Sequence, residues 1–225
     1  MNKFEIETVR SQKNELINYS YIVINRSSRT CAIIDPSWDM EGIDIILKRL
    51  NVQPSTVLLT HSHEDHVNLV HECVRRYNTE VYMSSREIEY YGYHCPNLNR
   101  VENMQELQIG NGKVICIETP GHSHGSMCFL VDDEFMFTGD TLFIEGCGTC
   151  TTEGADPKEL YLSLQKIKSL LHGSVMIYPG HSFGKAPGFT FSYLLKNNIY
   201  LQLDNMELFV QFRMRKNQPM SYTYY

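Results

Sequence analysis

The sequence predicts an α/β protein of 225 residues folded as one four-layer αββα sandwich. Three observations lead there. Strand-length apolar runs alternate with helix-period stripes in two similar halves, with no linker or low-complexity segment between them. With 42% hydrophobic residues, a chain of this length can bury a full core in a single domain, here taken as 1–225 with a mostly helical tail over 190–217. Several apolar runs also end in a turn followed at once by a residue able to bind a metal, which places the chemistry at one end of the strands.

In order along the chain, residues 3–9, 19–25 and 30–34 are short apolar or alternating runs separated by polar turn residues, a β-meander closing at Asp35-Pro36. Ile43, Ile46, Leu47 and Leu50 fall at i, i+3, i+4, i+7, the stripe of a helix lying on a sheet, ended by Asn51 and Pro54. A strand over 56–60 leads into Thr60-His61-Ser62-His63-Glu64-Asp65-His66, and Val67, Val70 and Val74 predict one helix directly after it. A further strand and helix follow at 80–83 and 84–91, then a loop holding His94 and Cys95, read as loop residues.

Residues 101–139 are strand-rich, with a tight turn at Asp132-Asp133-Glu134. A Gly- and Thr-rich loop over 145–154 is long enough to line a pocket. Asp156-Pro157-Lys158-Glu159 predicts a capped helix start, and Leu160, Leu164, Ile167 and Leu171 its buried face. The last strand expected is 175–178, before a helical tail from 190 to 216. Arg213, Arg215 and Lys216 at the tail's end read as cations complementing a helix C-terminus, and Ser221–Tyr225 as disordered.

The formal net charge of -6 argues against a nucleic-acid surface, which usually carries a basic excess. The N-terminal residues carry charges where a signal peptide needs an apolar stretch, and no apolar run is long enough to span a bilayer. Seven cysteines, an odd number scattered through apolar runs and loops, read as reduced thiols. The expectation is a cytoplasmic protein that binds neither nucleic acid nor membrane.

His61, His63, Asp65 and His66 place three imidazoles and a carboxylate within six residues, donors suited to a borderline-soft divalent metal. Three later segments repeat one pattern, an apolar run, a Gly or Pro turn and then a ligand. They end in Pro-Gly-His122, Gly-Asp140 and Pro-Gly-His181. If their ends converge, seven donors face one another: too many for one four-coordinate zinc, and suited to two metals sharing one carboxylate.

The set His61-x-His63-x-Asp65-His66 with His122, Asp140 and His181 resembles the metallo-β-lactamase superfamily across the whole chain. The resemblance implies two zinc ions, the first held by His61, His63 and His122, the second by Asp65, His66 and His181, with Asp140 bridging. Gly139-Asp140-Thr141-Leu142-Phe143, Gly146-Cys147-Gly148 and Asn198-Ile-Tyr-Leu201 are similar to glyoxalase II, the hydroxyacylglutathione hydrolases. Those enzymes usually place Lys or Arg after Gly-Cys-Gly and Tyr two residues past the last metal histidine. Here Thr149 and Phe183 stand in those places, which argues against a glutathione thioester. The chain is also similar to the zinc hydrolases encoded with trans-acyltransferase polyketide synthases. That resemblance implies cleavage of an acyl thioester, carried by an acyl carrier protein or a small molecule, with Asp65 orienting the attacking water. Zinc lowers the pKa of bound water to about 7, so no serine or cysteine nucleophile is required. The rival expectations are glyoxalase II itself, a persulfide dioxygenase using one iron on the same scaffold, and a metal-stabilised binding protein without turnover.

Overall fold

In the computed structural model, which describes residues 3–216, the amino-terminal half is a sheet laid down in chain order. Strands β1 (Phe4–Lys13), β2 (Leu16–Asn25) and β3 (Thr30–Ile34) form the antiparallel meander, its first two strands longer than predicted and joined by a hairpin whose Asn14 adopts φ 56°. Helix α1 (Met40–Leu50) begins at Asp39, whose carboxylate accepts from Gly42 N–H, and ends at Asn51 in the left-handed conformation. Then come β4 (Gln53–Leu58), α2 (Glu64–Val67), α3 (Val70–Tyr77), β5 (Glu80–Ser84), α4 (Ser85–Tyr91) and β6 (Leu98–Val101), with β3 to β6 parallel.

The second half builds a second sheet from β7 (Glu106–Ile109), β8 (Gly112–Glu118), β9 (Met127–Val131) and β10 (Phe135–Gly139), all antiparallel. After α5 (Pro157–Leu170), strand β11 (Met176–Pro179) joins β10 in parallel, and β12 (Phe189–Thr190) closes that edge before α6 (Phe191–Asn197), α7 (Ile199–Gln202) and α8 (Met206–Arg213). Three apolar cores separate four layers. One, with Tyr21, Phe129 and Phe137, lies between the sheets. A second, with Ile43, Leu47 and Cys73, seats α1 and α3 on the first sheet; a third, with Leu164, Phe191 and Phe209, seats α5, α6 and α8 on the second. The αββα sandwich follows from these three cores.

Because β8 and β10 both pair antiparallel with β9, and β11 runs parallel to β10, their carboxyl ends share one edge. The first sheet meets that edge through backbone bonds from Met127 N–H to Thr60 O and from Tyr19 N–H to Gly180 O, each 2.8 Å.

Three expectations are corrected and a fourth is extended. Pro54 does not merely end a helix; it lies inside β4 at a register shift against β3, before β4 meets β5 at Thr56, so no ladder donor is required of it. The single helix expected over 67–74 is two. The Asp65 carbonyl, which Leu69 N–H would seek, instead accepts Asn18 Nδ2 at 2.8 Å, while Leu69 N–H donates to Pro36 O at 3.2 Å. β11 is not the last strand, because β12 follows it. Arg213 stands in the last turn of α8 as expected but does more than complement a helix end: it is buried, donating to Tyr200 Oη at 3.1 Å and reaching Cys147 O at 3.5 Å. The closing Ser221–Tyr225 lies outside the described residues.

Candidate metal centre

The seven predicted residues arrive at the shared edge from four strand ends. His61 follows β4, and His63, Asp65 and His66 lie on the start of α2. His122, Asp140 and His181 follow β8, β10 and β11. Two triads form, His61/His63/His122 and Asp65/His66/His181, each with potential ligand atoms within 4.8 Å of one another. Asp140 lies between them, with Oδ1 3.4 Å from His66 Nε2 and Oδ2 3.6 Å from His122 Nε2 and 3.3 Å from His181 Nε2. The approach needs glycine at Gly180, where a Cβ would sit 2.5 Å from His66 Cε1 and 2.7 Å from Asp140 Oδ1.

Hydrogen bonds decide which nitrogen each imidazole offers. His66 Nδ1 donates to Asp35 Oδ2 (2.9 Å), His122 Nδ1 to Thr149 O (2.8 Å) and His181 Nδ1 to Ile17 O (2.7 Å). Thr60 Oγ1 gives its proton to Asp35 Oδ2 (2.6 Å) and so accepts from His61 Nδ1 (3.0 Å). Four histidines therefore present Nε2 with its lone pair inward. His122 Nε2 faces His63 Nδ1 at 3.0 Å, and His66 Nε2 faces His181 Nε2 at 3.3 Å. His61 Nε2 and Asp140 Oδ1 are buried without a hydrogen-bond partner. The facing Nε2 lone pairs of His66 and His181 and the two orphaned acceptors are satisfied together by cations, so these residues fit a metal.

The electrostatics carry the same demand. Burial lowers His61 well below the usual imidazole range and brings His122 down to about 4, leaving both neutral. Burial also acts to lower His66 and His181, but the Asp65 and Asp140 charges outweigh it, lifting His66 well above its ordinary value and His181 to about 9. Burial would lift the two carboxyls, yet the adjoining histidine charges hold both well below the usual carboxylate range. Without metal, protons take the positions that a divalent cation would replace.

Asp35 also lies close enough to His61 and His66 to form a third group of donors. Its oxygens are already engaged, however, by Thr60 N–H, Thr60 Oγ1 and His66 Nδ1, so it orients rather than ligates. Sequence reading missed Asp35 in this role, although Ile33-Ile34-Asp35 follows the same strand-end pattern as the ligands. It also missed Asn18, whose Nδ2 donates to Asp65 Oδ2 at 3.0 Å, and Glu87. Glu87 is fully buried and accepts from Ser62 N–H and Oγ through one oxygen, and from Ser123 Oγ and Gly125 N–H through the other, all at 2.8 Å. It ties the His61 loop to the His122 loop, and nothing in its local sequence marks it. His94 lies beyond α4 with Nδ1 bonded to Gly92 O, apart from the cluster. Cys147 and Cys150 pack in the second sheet's helical core as free thiols.

The sequence profile of the metallo-beta-lactamase superfamily matches residues 14–181. The chain is 44% identical over 215 residues to a Bacillus subtilis protein named "Probable polyketide biosynthesis zinc-dependent hydrolase PksB", covering 96% of this chain and 95% of that one. It is 33% identical over 173 residues to a hydroxyacylglutathione hydrolase of Buchnera aphidicola, covering 75% of this chain and 64% of that one. Among solved structures, a metallo-beta-lactamase from Staphylococcus aureus superposes with a TM-score of 0.85 at 22% identity, over 97% of this chain and 68% of that one, a likeness of fold.

Proposed function

Because the chain belongs to the metallo-beta-lactamase superfamily, we propose that it is a single-domain zinc-dependent hydrolase of polyketide biosynthesis whose substrate is an acyl thioester on the phosphopantetheine arm of an acyl carrier protein. The observation that carries the reading is the pair of triads flanking Asp140, with their inward lone pairs and orphaned acceptors. His61, His63 and His122 would hold one ion, Asp65, His66 and His181 a second, and Asp140 would touch both. Zinc bound there supplies Lewis acidity toward a carbonyl and lowers the pKa of water to about 7.

The chain's own residues do the rest. Asp65 Oδ2, fixed by Asn18, orients the attacking water. Asp35, Thr149 and Ile17 hold the imidazoles in one tautomer. A departing thiolate needs little protonation, so the reaction requires no general acid. Thr149 offers no cation to a glutathione carboxylate. A contact of that kind contributes roughly 1.5–3 kcal/mol, or about 10- to 100-fold in turnover.

The deciding experiment compares zinc-loaded enzyme on matched acyl-pantetheine, acyl-carrier and lactoylglutathione thioesters, with metal analysis alongside. About two metals per chain and a higher kcat/KM for the pantetheine-borne substrates are expected. Preference for lactoylglutathione would make it a glyoxalase II, and one iron with oxygen consumption a dioxygenase.

A further inference from the structure

We propose that the cleft between the β1–β2 hairpin and α2 receives the thiol arm of the substrate, with Trp38 as its wall and an acidic lining that selects a neutral pantetheine-type arm over glutathione. This rests on the acyl-thioester reading above.

A cavity of about 650 Å³ opens there, lined by Lys13, Glu15, Leu16, Trp38, Glu64 and Asp65, a size suited to a small-molecule arm. Its inner end is part of the metal centre, since Asp65 Oδ2 is 3.2 Å from His181 Nε2. An arm lying in the cleft therefore delivers its thioester end to Asp65.

Trp38 is held in place at a cost. Its φ of 58° is the left-handed region, unfavourable for a bulky side chain. Two bonds maintain it: Trp38 N–H donates to Asn68 Oδ1 at 2.9 Å, and its indole Nε1 donates to Asn18 Oδ1 at 3.2 Å. Asn18 is the same residue that donates to Asp65 Oδ2, so one amide sets both the indole and the carboxylate. The ring and the reacting end of the cleft are thereby fixed relative to one another.

The charges then choose the arm. Lys13 is the cation of this lining, and its Nζ lies 3.7 Å from the Trp38 ring centroid, engaged in a cation–π contact. Glu15 and Glu64, both exposed, outnumber it at the mouth. Glutathione brings two carboxylates and a net negative charge into that field. A pantetheine arm is uncharged, and its planar amides can lie against the indole face.

The protein contains one tryptophan, so its emission reports this wall alone. Zinc-loaded protein would be titrated with S-methylpantetheine and S-methylglutathione, thioethers with no free thiol to bind the metal. A saturable emission change is expected with S-methylpantetheine. S-methylglutathione should bind at least tenfold more weakly at low salt, the gap narrowing as salt screens the glutamates. Glu15→Lys should raise the ratio of glutathione- to pantetheine-thioester kcat/KM at least fivefold. Equal or tighter binding of S-methylglutathione overturns the proposal, as does an unchanged ratio in the Glu15→Lys protein. An emission unmoved by either probe, in enzyme that hydrolyses acyl-pantetheine, also overturns it while leaving the hydrolase reading intact. Saturable binding of S-methylpantetheine by protein that cleaves no thioester supports the cleft and removes the hydrolase reading.

Discussion

His66 Nδ1 lies 2.9 Å from Oδ2 of Asp35, and both side chains are almost wholly buried. The carboxylate at the end of β3 thus sets the direction of an imidazole on α2, while its other oxygen takes Thr60 N–H at 2.8 Å. Asp35→Asn keeps the shape but places a donor where one or two donors already point. Metal affinity should fall about 10- to 100-fold, as for other partners that orient metal-binding histidines. Competition with a chromogenic chelator measures this, and unaltered affinity would remove the orienting role.

Asp140→Asn retains volume and removes the charge between the two triads. Metal affinity should drop by more than about 100-fold, beyond the loss of an orienting partner, and hydrolysis with it. His124→Ala is the contrast: this side chain stacks on Tyr90 at 4.2 Å, away from the cluster, so metal content should be retained. Elemental analysis of both variants checks the pair. Equal loss would mean that the ligands are misassigned.

Thr149 is half-buried and presents its carbonyl, not its side chain, to His122. Thr149→Lys therefore leaves that bond available while adding a cation beside the centre. Lactoylglutathione kcat/KM should rise by about tenfold, the lower end of a charge-assisted contact. Thr149 lies outside the lining of the Trp38 cleft, so the added cation serves a glutathione arm that the cleft turns away to the His122 side. Steady-state kinetics test it, and no rise would leave the glutathione carboxylates to the cleft.

Burial pushes the thiols of Cys31, Cys73, Cys116 and Cys150 up to about 12 and that of Cys128 to about 11, with Cys147 raised further. A raised pKa means that thiolate, the reactive form, is scarce at pH 8 and increases only as pH climbs toward those values. Only Cys95 is partly exposed. Thiol titration of folded protein at pH 8 should label Cys95 first, its thiol also raised by burial but reachable by the reagent, and all seven after denaturation. Rapid labelling of Cys147 in peptide mapping would contradict its packing role.

Arg213 on α8 closes over the loop that carries Cys147 and Thr149, and Asn198 Nδ2 donates to Phe143 O and Gly146 O from the same side. Arg213→Ala removes the buried donor that reaches the Cys147 carbonyl and one of the two guanidinium donors to Tyr200 Oη, the other being Arg215, and opens space beside them. A loss of about 2 kcal/mol is expected, or roughly 4–8 °C in Tm. Calorimetry with metal present measures it, and an unshifted Tm would return Arg213 to the surface role that its position at a helix end implies.

The sequence by itself determined what depends on near neighbours. Alternation and helical stripes set the strands and helices, since side-chain periods of two and 3.6 are local properties. The repeated placing of a ligand just beyond a strand marked all seven residues that the structure brings together, because strands sharing a direction in a sheet end at one edge. What required tertiary structure were the contacts made across the chain. Asn18 takes the Asp65 carbonyl 47 residues away and so divides a helix that local pattern made continuous. Glu87 joins the two loops that carry His61 and His122 through hydroxyls and amides from residues 25 to 38 positions distant. Arg213, cationic at a helix end, reaches a carbonyl 66 residues upstream and is buried there. A polar side chain's role depends on which donor or acceptor the fold sets against it, and that partner leaves no trace in the residues on either side.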